Sequence, residues 1–330
     1  MLSTALPAED LKRELSQCLD QDLAQVNQVL QTKLKSSSEF ATDLTNHVSR
    51  FRGKQIRPML VLLFERLSAG KASTKGHALA AAVEMIHMAT LVHDDVIDEA
   101  ETRRHVATVH QRWDTETSVL LGDYLFSKSF HLAASSGDAE ACRLIGLATD
   151  RTCEGELNQM AARSNRSATE LDYFRIIRDK TGQLFGLSCL LGARCANASD
   201  ECQAAARRFG VRLGLAFQIA DDLLDLTGDE AATGKDTGND LQNGRMTLPV
   251  LRALTFATRT ERSRILQAIG CATANLALKQ MACVKRGIES AASTAEELVR
   301  RAIKDLSKFE ACREQQLLEA IAMFSVARKF

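Results

Sequence analysis

Proline is scarce in this chain, with three in 330 residues, and aromatics are few: one tryptophan, two tyrosines and thirteen phenylalanines. So few proline breaks, and no sustained period-two alternation, argue against a sheet protein and for long helices. An excess of either charge is also missing. The 42 basic and 42 acidic residues cancel, which gives no support to a nucleic-acid partner. The nine cysteines stand singly without a CxxC pair, so a reduced cytoplasmic setting fits better than a disulfide framework. No apolar run reaches membrane-spanning length without a charge, and the opening MLSTALPAEDLKREL has no signal-peptide core. What remains is 45% hydrophobic, ample for a core. With no linker or shift of composition, the expectation is one all-α domain over residues 1–330.

Against that apolar background two acidic clusters stand out. LVHDDVIDE carries Asp94, Asp95 and Asp98; far downstream, FQIADDLLDLTGD carries Asp221, Asp222 and Asp225. Residues four apart share a helix face, so Asp94 with Asp98, and Asp221 with Asp225, each form a two-oxygen claw. Carboxylates beside Leu, Val, Ile and Phe are costly to bury without a compensating cation. Hard oxygen ligands suit magnesium, which typically takes one or two carboxylates plus substrate phosphates. Two acidic walls facing each other across a metal–diphosphate site follow from this pattern.

Helical spacing of Leu11, Leu15, Leu19, Leu23, Val26 and Leu30 predicts an amphipathic first helix over 8–33. Ser36 with Glu39 reads as a capping box for a second, ending at Arg52-Gly53. A third opens at Pro58. Between them GKQIRP sets Lys54 and Arg57 beside a helix N-terminus, a cradle for an anion, though on the turn alone a solvated basic turn is the commoner reading. Residues 79–93 are apolar nearly all round and read as an interior helix. His87 lies two turns below Asp94; a satisfied core histidine and a ligand remain equal alternatives. Arg103 and Arg104 follow the first triad; a surface pair is the plain alternative, but so placed they can fork phosphate oxygens. Further helices are expected over 118–134, 140–162 (with CEGELNQ), 170–195 and 204–226, where Gly210 and Gly214 admit a close neighbour. Lys180 and Thr181 precede an apolar stretch, and a lysine so placed snorkels outward unless an anion awaits it. The glycine-rich run from Gly228 to Gly244, with Lys235 and then Arg245, has the length of a functional lid. Helices resume at Thr247-Leu248-Pro249 and after a capping box from Thr294 to Glu297.

Metal ions bridging such acids to a diphosphate would draw electrons from the leaving oxygen. On an allylic carbon, its departure leaves a cation that an alkene attacks and water would quench, so apolar walls are required. One DDxxD is a weak signal. Two, each ending a buried helix, with GKQIRP before and a glycine-rich loop after, are a strong one. From about Gly53 to Val250 the sequence resembles the trans-type polyprenyl diphosphate synthases. The resemblance implies an isoprenoid-synthase helical bundle around a central cavity, usually a homodimer. It implies magnesium, three ions with diphosphate bound, on Asp94, Asp98 and Asp221 with support from Asp95, Asp222 and Asp225. By the same similarity Lys54, Arg57, His87 and Arg104 hold isopentenyl diphosphate, and Arg103, Lys180, Lys235 and Arg245 hold the allylic diphosphate. Thr181 and Gln218 match residues whose oxygens face the developing cation, and the released diphosphate takes the final proton. Three departures stand out: His105 where the family usually has Gly, Arg245 where Lys is common, and KTG at 180–182 in place of KTA.

A class I terpene cyclase shares the first triad but needs neither GKQIRP nor a second DDxxD. A non-catalytic subunit of a heteromeric synthase usually loses a triad, and a short-chain synthase closes its tunnel with bulky aromatics before the first triad. Here Met85, Ala89 and Thr90 occupy that level. One helical turn, about 5.4 Å, matches roughly one isoprene unit, so a long product for quinone side chains is expected, as HMATLVHDDVID is the form in octaprenyl- and solanesyl-type synthases. Ala89→Phe should therefore shorten the product on reversed-phase chromatography, and unchanged length would refute this tunnel.

Overall fold

The computed structural model describes residues 7–51, 53–163, 165–228, 238–270 and 278–327. Fifteen helices fill them, joined by one two-strand hairpin. The first helix, α1 (Ala8–Leu34), buries Leu11, Leu19, Val26 and Leu30 and matches the predicted stripe. Helix α2 (Glu39–Val48) starts as expected, but its cap is Ser38, whose hydroxyl accepts from the Ala41 N–H, rather than Ser36. A single 3₁₀ turn, 49–51, closes it. Helix α3 (Ile56–Ala69) begins two residues before Pro58, entered through Gln55 in the left-handed region (φ 50°). Proline sits in the first turn, where no intrahelical partner for its nitrogen is needed.

Helix α4 (Thr74–Ile97) is capped by Ser73 and buried without a break from Leu79 to Ile86. It ends at Asp98, so the last acid of the first triad is a C-cap residue. Strands β1 (Thr102–Arg103) and β2 (Val106–Ala107) then form a tight hairpin. Arg104 (φ 53°) and His105 (φ 64°) are its two central residues, the backbone a type I′ turn requires. This is the conformation that a glycine supplies at least strain; His105 adopts it here. The short α5 (Val109–Arg112) leads into α6 (Thr115–Ser135) and α7 (Ala139–Ala162).

Helix α8 (Glu170–Ile177) opens on a full capping box between Thr169 and Asp172. The stretch expected as one helix over 170–195 is interrupted by a π-helical turn, Arg178–Gly182, before α9 (Gln183–Cys195). Such turns insert an extra residue and re-aim side chains, often at functional sites. Helix α10 (Asp200–Thr227) packs along α9. Added to Gly210, a Cβ would strike the Phe185 carbonyl oxygen; on Gly214 it would lie 2.9 Å from Gly182 Cα. These two positions let α10 approach close enough to align its acids with the π-turn. After α11 (Asn239–Gln242), α12 (Leu248–Phe256) and α13 (Arg259–Ala268), the long α14 (Ala282–Asp305) packs on α10 and α12. The predicted start at Thr294–Glu297 is an error, because Thr294 lies mid-helix and returns its hydroxyl to the Ser290 carbonyl. Helix α15 (Arg313–Val326) covers α3 and α10.

The larger apolar cluster is centred on α3, α4, α9 and the first half of α10; a smaller one joins the second half of α10 to α12 and α14. Leu298 and Val326 pack against both. At the far end of the bundle Asp138 caps α7 by accepting from the Ala141 N–H at 3.0 Å. It also pairs with Lys75 of α4 at 2.6 Å and with Arg194 of α9 at 2.9 Å. Those partners hold its carboxyl well below the usual range, with Arg194 the largest influence. A depressed folded pKa gives stability that is complete above the unfolded value and lost as pH falls through the folded one. Asp138→Asn should lower unfolding free energy at pH 7 by about 1–2 kcal/mol. In denaturant titrations its deficit against the parent should shrink below about pH 4; a pH-independent deficit would exclude the ionic cause.

Candidate active site

Helices α4, α7 and α10, the π-turn and the segment around α11 bring both acidic triads to one end of the bundle. Asp98 accepts from Arg245 at 2.5 Å and from Arg163 at 2.8 Å. The other arm of Arg245 donates to Asp240 at 3.1 Å. Asp225 in turn accepts from the backbone N–H groups of Asn239 and Asp240, both at 3.1 Å. A chain of contacts thus joins the two triads through Arg245.

Lys180 stands between them. Its ammonium donates to Glu156 at 2.5 Å and Gln159 at 2.7 Å, and lies 3.8 Å from Asp94. It does not snorkel, because carboxylates meet it inside. Gly155 explains the approach: a Cβ there would lie 2.5 Å from the Lys180 backbone nitrogen, so α7 can lie directly on the π-turn only with glycine at this position. Asp94 is pushed up to about 7, first by burial and then by Glu156, with Lys180 opposing. Asp225 is likewise raised to about 7 by burial and by Asp240. Asp222 and Asp240 are raised as well, burial leading in each, with Asp221 adding repulsion. Asp95 is buried and clasped by Arg103 Nε at 2.8 Å. Burial still raises its pKa.

Basic groups line the other side. Arg57 is half-buried, stacks 4.7 Å from the Phe185 ring centroid, and is lowered to about 10 by burial despite Glu84. His87 is driven well below its ordinary value by burial and by Arg57, Arg103 and Arg104, so it is a neutral imidazole among three guanidiniums. Arg104 rests where a Cβ at Gly53 would collide with its guanidinium. Lys54 lies 5.4 Å from the Phe324 ring. Lys235 lies outside the described residues. Thr181 donates to Gln218 at 2.9 Å, and Gly182 has room for a methyl, its nearest contact being ordinary at 3.5 Å. Met85 and Ala89 are fully buried in the larger cluster, and the half-buried Thr90 bonds the His87 carbonyl at 2.9 Å.

Sequence reading missed Glu84, Glu156, Gln159, Arg163, Tyr173 and Asp240. Glu156 and Gln159 are three apart in CEGELNQ and so share a helix face, a signal that was there to use. The others reveal themselves only by what packs against them.

Arg57, Asp95, Glu156, Arg163 and Arg245 each keep a buried nitrogen or oxygen without a hydrogen-bond partner. Arg163 and Arg245 line one cavity with Lys180, and orphaned polar atoms such as these are what a bound anion and cations would satisfy. The crowded carboxylates are all-oxygen, the set preferred by magnesium. Among the described residues no three acidic, histidine or cysteine groups already converge on one point, so a metal would draw its ligands away from Arg245, Arg163 and Lys180.

Fold and site together define an all-helical protein that handles diphosphates beside an apolar interior. Residues 38–285 match the family model described as polyprenyl synthetase, and the chain belongs to that family, the trans-polyprenyl diphosphate synthases, which are prenyltransferases. It is 30% identical to octaprenyl diphosphate synthase of Haemophilus influenzae over 320 residues, 96% of this chain and 97% of that one. It is 32% identical to the short chain isoprenyl diphosphate synthase of Methanothermobacter thermautotrophicus over 327 residues, 97% and 98% of the two chains. A polyprenyl synthase of Caulobacter crescentus, solved with calcium and isoprenyl diphosphate, superposes with a TM-score of 0.90 at 31% identity, covering 96% of this chain and 97% of that one.

Gly155→Ala should lower turnover by about 10²-fold, the scale of an ångström's misplacement of catalytic groups. Far-ultraviolet circular dichroism should be unchanged. Full activity would show that the α7–π-turn contact does not position Lys180.

Proposed function

We propose that this prenyltransferase joins isopentenyl diphosphate to an allylic diphosphate and repeats the step to a long all-trans product. The observation that carries this is the pairing of two acidic triads through Arg245 beside a separate basic pocket. When bound, magnesium supplies charge neutralisation of the leaving diphosphate, and three ions suit Asp94, Asp98 and Asp221, with Asp95 and Asp225 in support. Lys180, Arg103, Arg245 and Lys235 hold the allylic diphosphate. Lys54, Arg57, neutral His87 and Arg104 hold the isopentenyl diphosphate, which keeps its diphosphate. Thr181 and Gln218 present oxygens to the developing cation, and the apolar wall of α4 and α10 excludes water from it. No side chain is needed as final base, since the departed diphosphate can accept the proton.

Small Ala89 and flexible Met85 below Asp94 favour a long tunnel, and the likeness to an octaprenyl synthase agrees. Residues 1–330 act as one domain, with α10 belonging to both apolar clusters. Val119, Leu120 and Leu157 on α6 and α7 are exposed, an apolar surface that suits a homodimer. No described helix is long and apolar enough to cross a membrane; a cytoplasmic enzyme touching a membrane only to release product fits this.

Purified protein with magnesium, labelled isopentenyl diphosphate and allylic primers should yield polyprenyl diphosphates. Asp94→Ala or Asp221→Ala should reduce turnover by about 10²–10³-fold, as for loss of one electrostatic stabiliser. Near-normal rates in either variant would contradict the metal assignment.

A further inference from the structure

Tyr173, Asp222, Gln218 and Thr181 are linked in series across three elements. The Tyr173 hydroxyl of α8 donates to Asp222 Oδ2 at 2.5 Å. Gln218 Nε2, one turn before Asp222 on α10, donates to Asp222 Oδ1 at 2.8 Å. Thr181 Oγ1, on the π-turn, donates to Gln218 Oε1 at 2.9 Å. All four line the same cavity, beside Lys180 and Arg245. Tyr173 and Asp222 are buried.

A glutamine amide offers donors on one side and an acceptor on the other, and its neighbours decide which way it turns. Asp222 accepts from Tyr173 with one oxygen and from Gln218 with the other. Gln218 therefore turns its NH2 toward Asp222 and its oxygen toward Thr181. Thr181 gives its one proton to that oxygen and keeps its lone pairs for the cavity. Reversing the amide would aim N–H dipoles, positive end first, at the place where positive charge develops.

We propose that Tyr173 and Asp222 are positioning residues: through their hydrogen bonds they fix the Gln218 amide, and so the Thr181 hydroxyl, with oxygens facing an allylic cation. On this account Asp222, buried with Tyr173 on one oxygen and Gln218 on the other, serves the amide rather than the metal set to which resemblance assigned it. The proposal rests on the reading of Thr181 and Gln218 given above.

Tyr173→Phe removes one buried oxygen and little else; Asp222→Asn keeps the shape but presents an NH2. The first should lower kcat for condensation about tenfold and the second about a hundredfold, with KM for both diphosphates within about twofold, since an interaction used only in the transition state changes kcat. Hydrolysis of the allylic diphosphate alone should fall by the same factors. The double variant should be no slower than Asp222→Asn, because both act through one amide. Magnesium binding measured by calorimetry should be unchanged in Asp222→Asn. A Tyr173→Phe enzyme with normal kcat, a loss carried by KM, or weakened magnesium binding in Asp222→Asn would overturn the proposal. Thr181→Val and Thr181→Ser separate it from the underlying reading. Loss in Val with rescue in Ser supports that reading, and loss there beside a normal Tyr173→Phe sinks the relay alone. A fully active Thr181→Val sinks both. Should Asp222→Asn fail to fold, the Tyr173→Phe and Thr181 kinetics decide.

Discussion

Mutual repulsion among carboxylates drawn out of water, offset by a few interleaved cations, is the constraint around which this end of the molecule is built. Asp94, Asp98 and Glu156 on one side, and Asp221, Asp225 and Asp240 on the other, could not be gathered without Lys180, Arg163 and Arg245 between them. Arg245 carries most of that burden, reaching Asp98 and Asp240 from one guanidinium. Its own charge is held on firmly by those acids. Each of these cations pairs with a carboxylate that divalent ions would compete for under the proposed function, and would then be free to hold a diphosphate.

Close helix contact is what makes this possible. Lys180 is turned inward by a π-turn that interrupts an otherwise continuous helix, and that turn is pressed from one side by α7 at Gly155 and from the other by α10 at Gly214. A methyl group at Gly155 or Gly214 would meet backbone or a ring, which cannot move cheaply in a close-packed interior. The apolar mass behind this junction, from α3 through α4 and α9, gives it a rigid base. It also supplies the dry wall a carbocation needs.

His87 illustrates how far the surroundings can decide a role. On an apolar helix it was equally readable as core or ligand; with Arg57, Arg103 and Arg104 around it, it is kept neutral. A neutral imidazole can still donate one hydrogen bond to a phosphate oxygen without adding a fourth charge to a crowded cationic pocket. The left-handed backbone at Arg104 and His105 is part of the same arrangement, since the hairpin turn delivers Arg104 into the space left by Gly53.

Much of this was legible in the chain. Scarce proline and three-and-four spacing determined an all-helical fold, and apolar runs ending in DDxxD marked α4 and α10 because buried acids need a reason. Lys54, Arg57, Arg103 and Arg104 could be picked out as cations beside helix ends or triads. Local pattern also misled: Thr294 mimicked a cap inside α14, and Ser36 mimicked the cap that Ser38 supplies to α2, because a hydroxyl three residues before a glutamate says nothing of which bonds the backbone still lacks. Only the tertiary structure could decide that Glu156 and Gln159 meet Lys180, that Arg163 and Arg245 share Asp98, and that Tyr173 holds Asp222. Those pairings join residues distant along the chain, and periodicity records which face a side chain lies on, never what the fold brings opposite it.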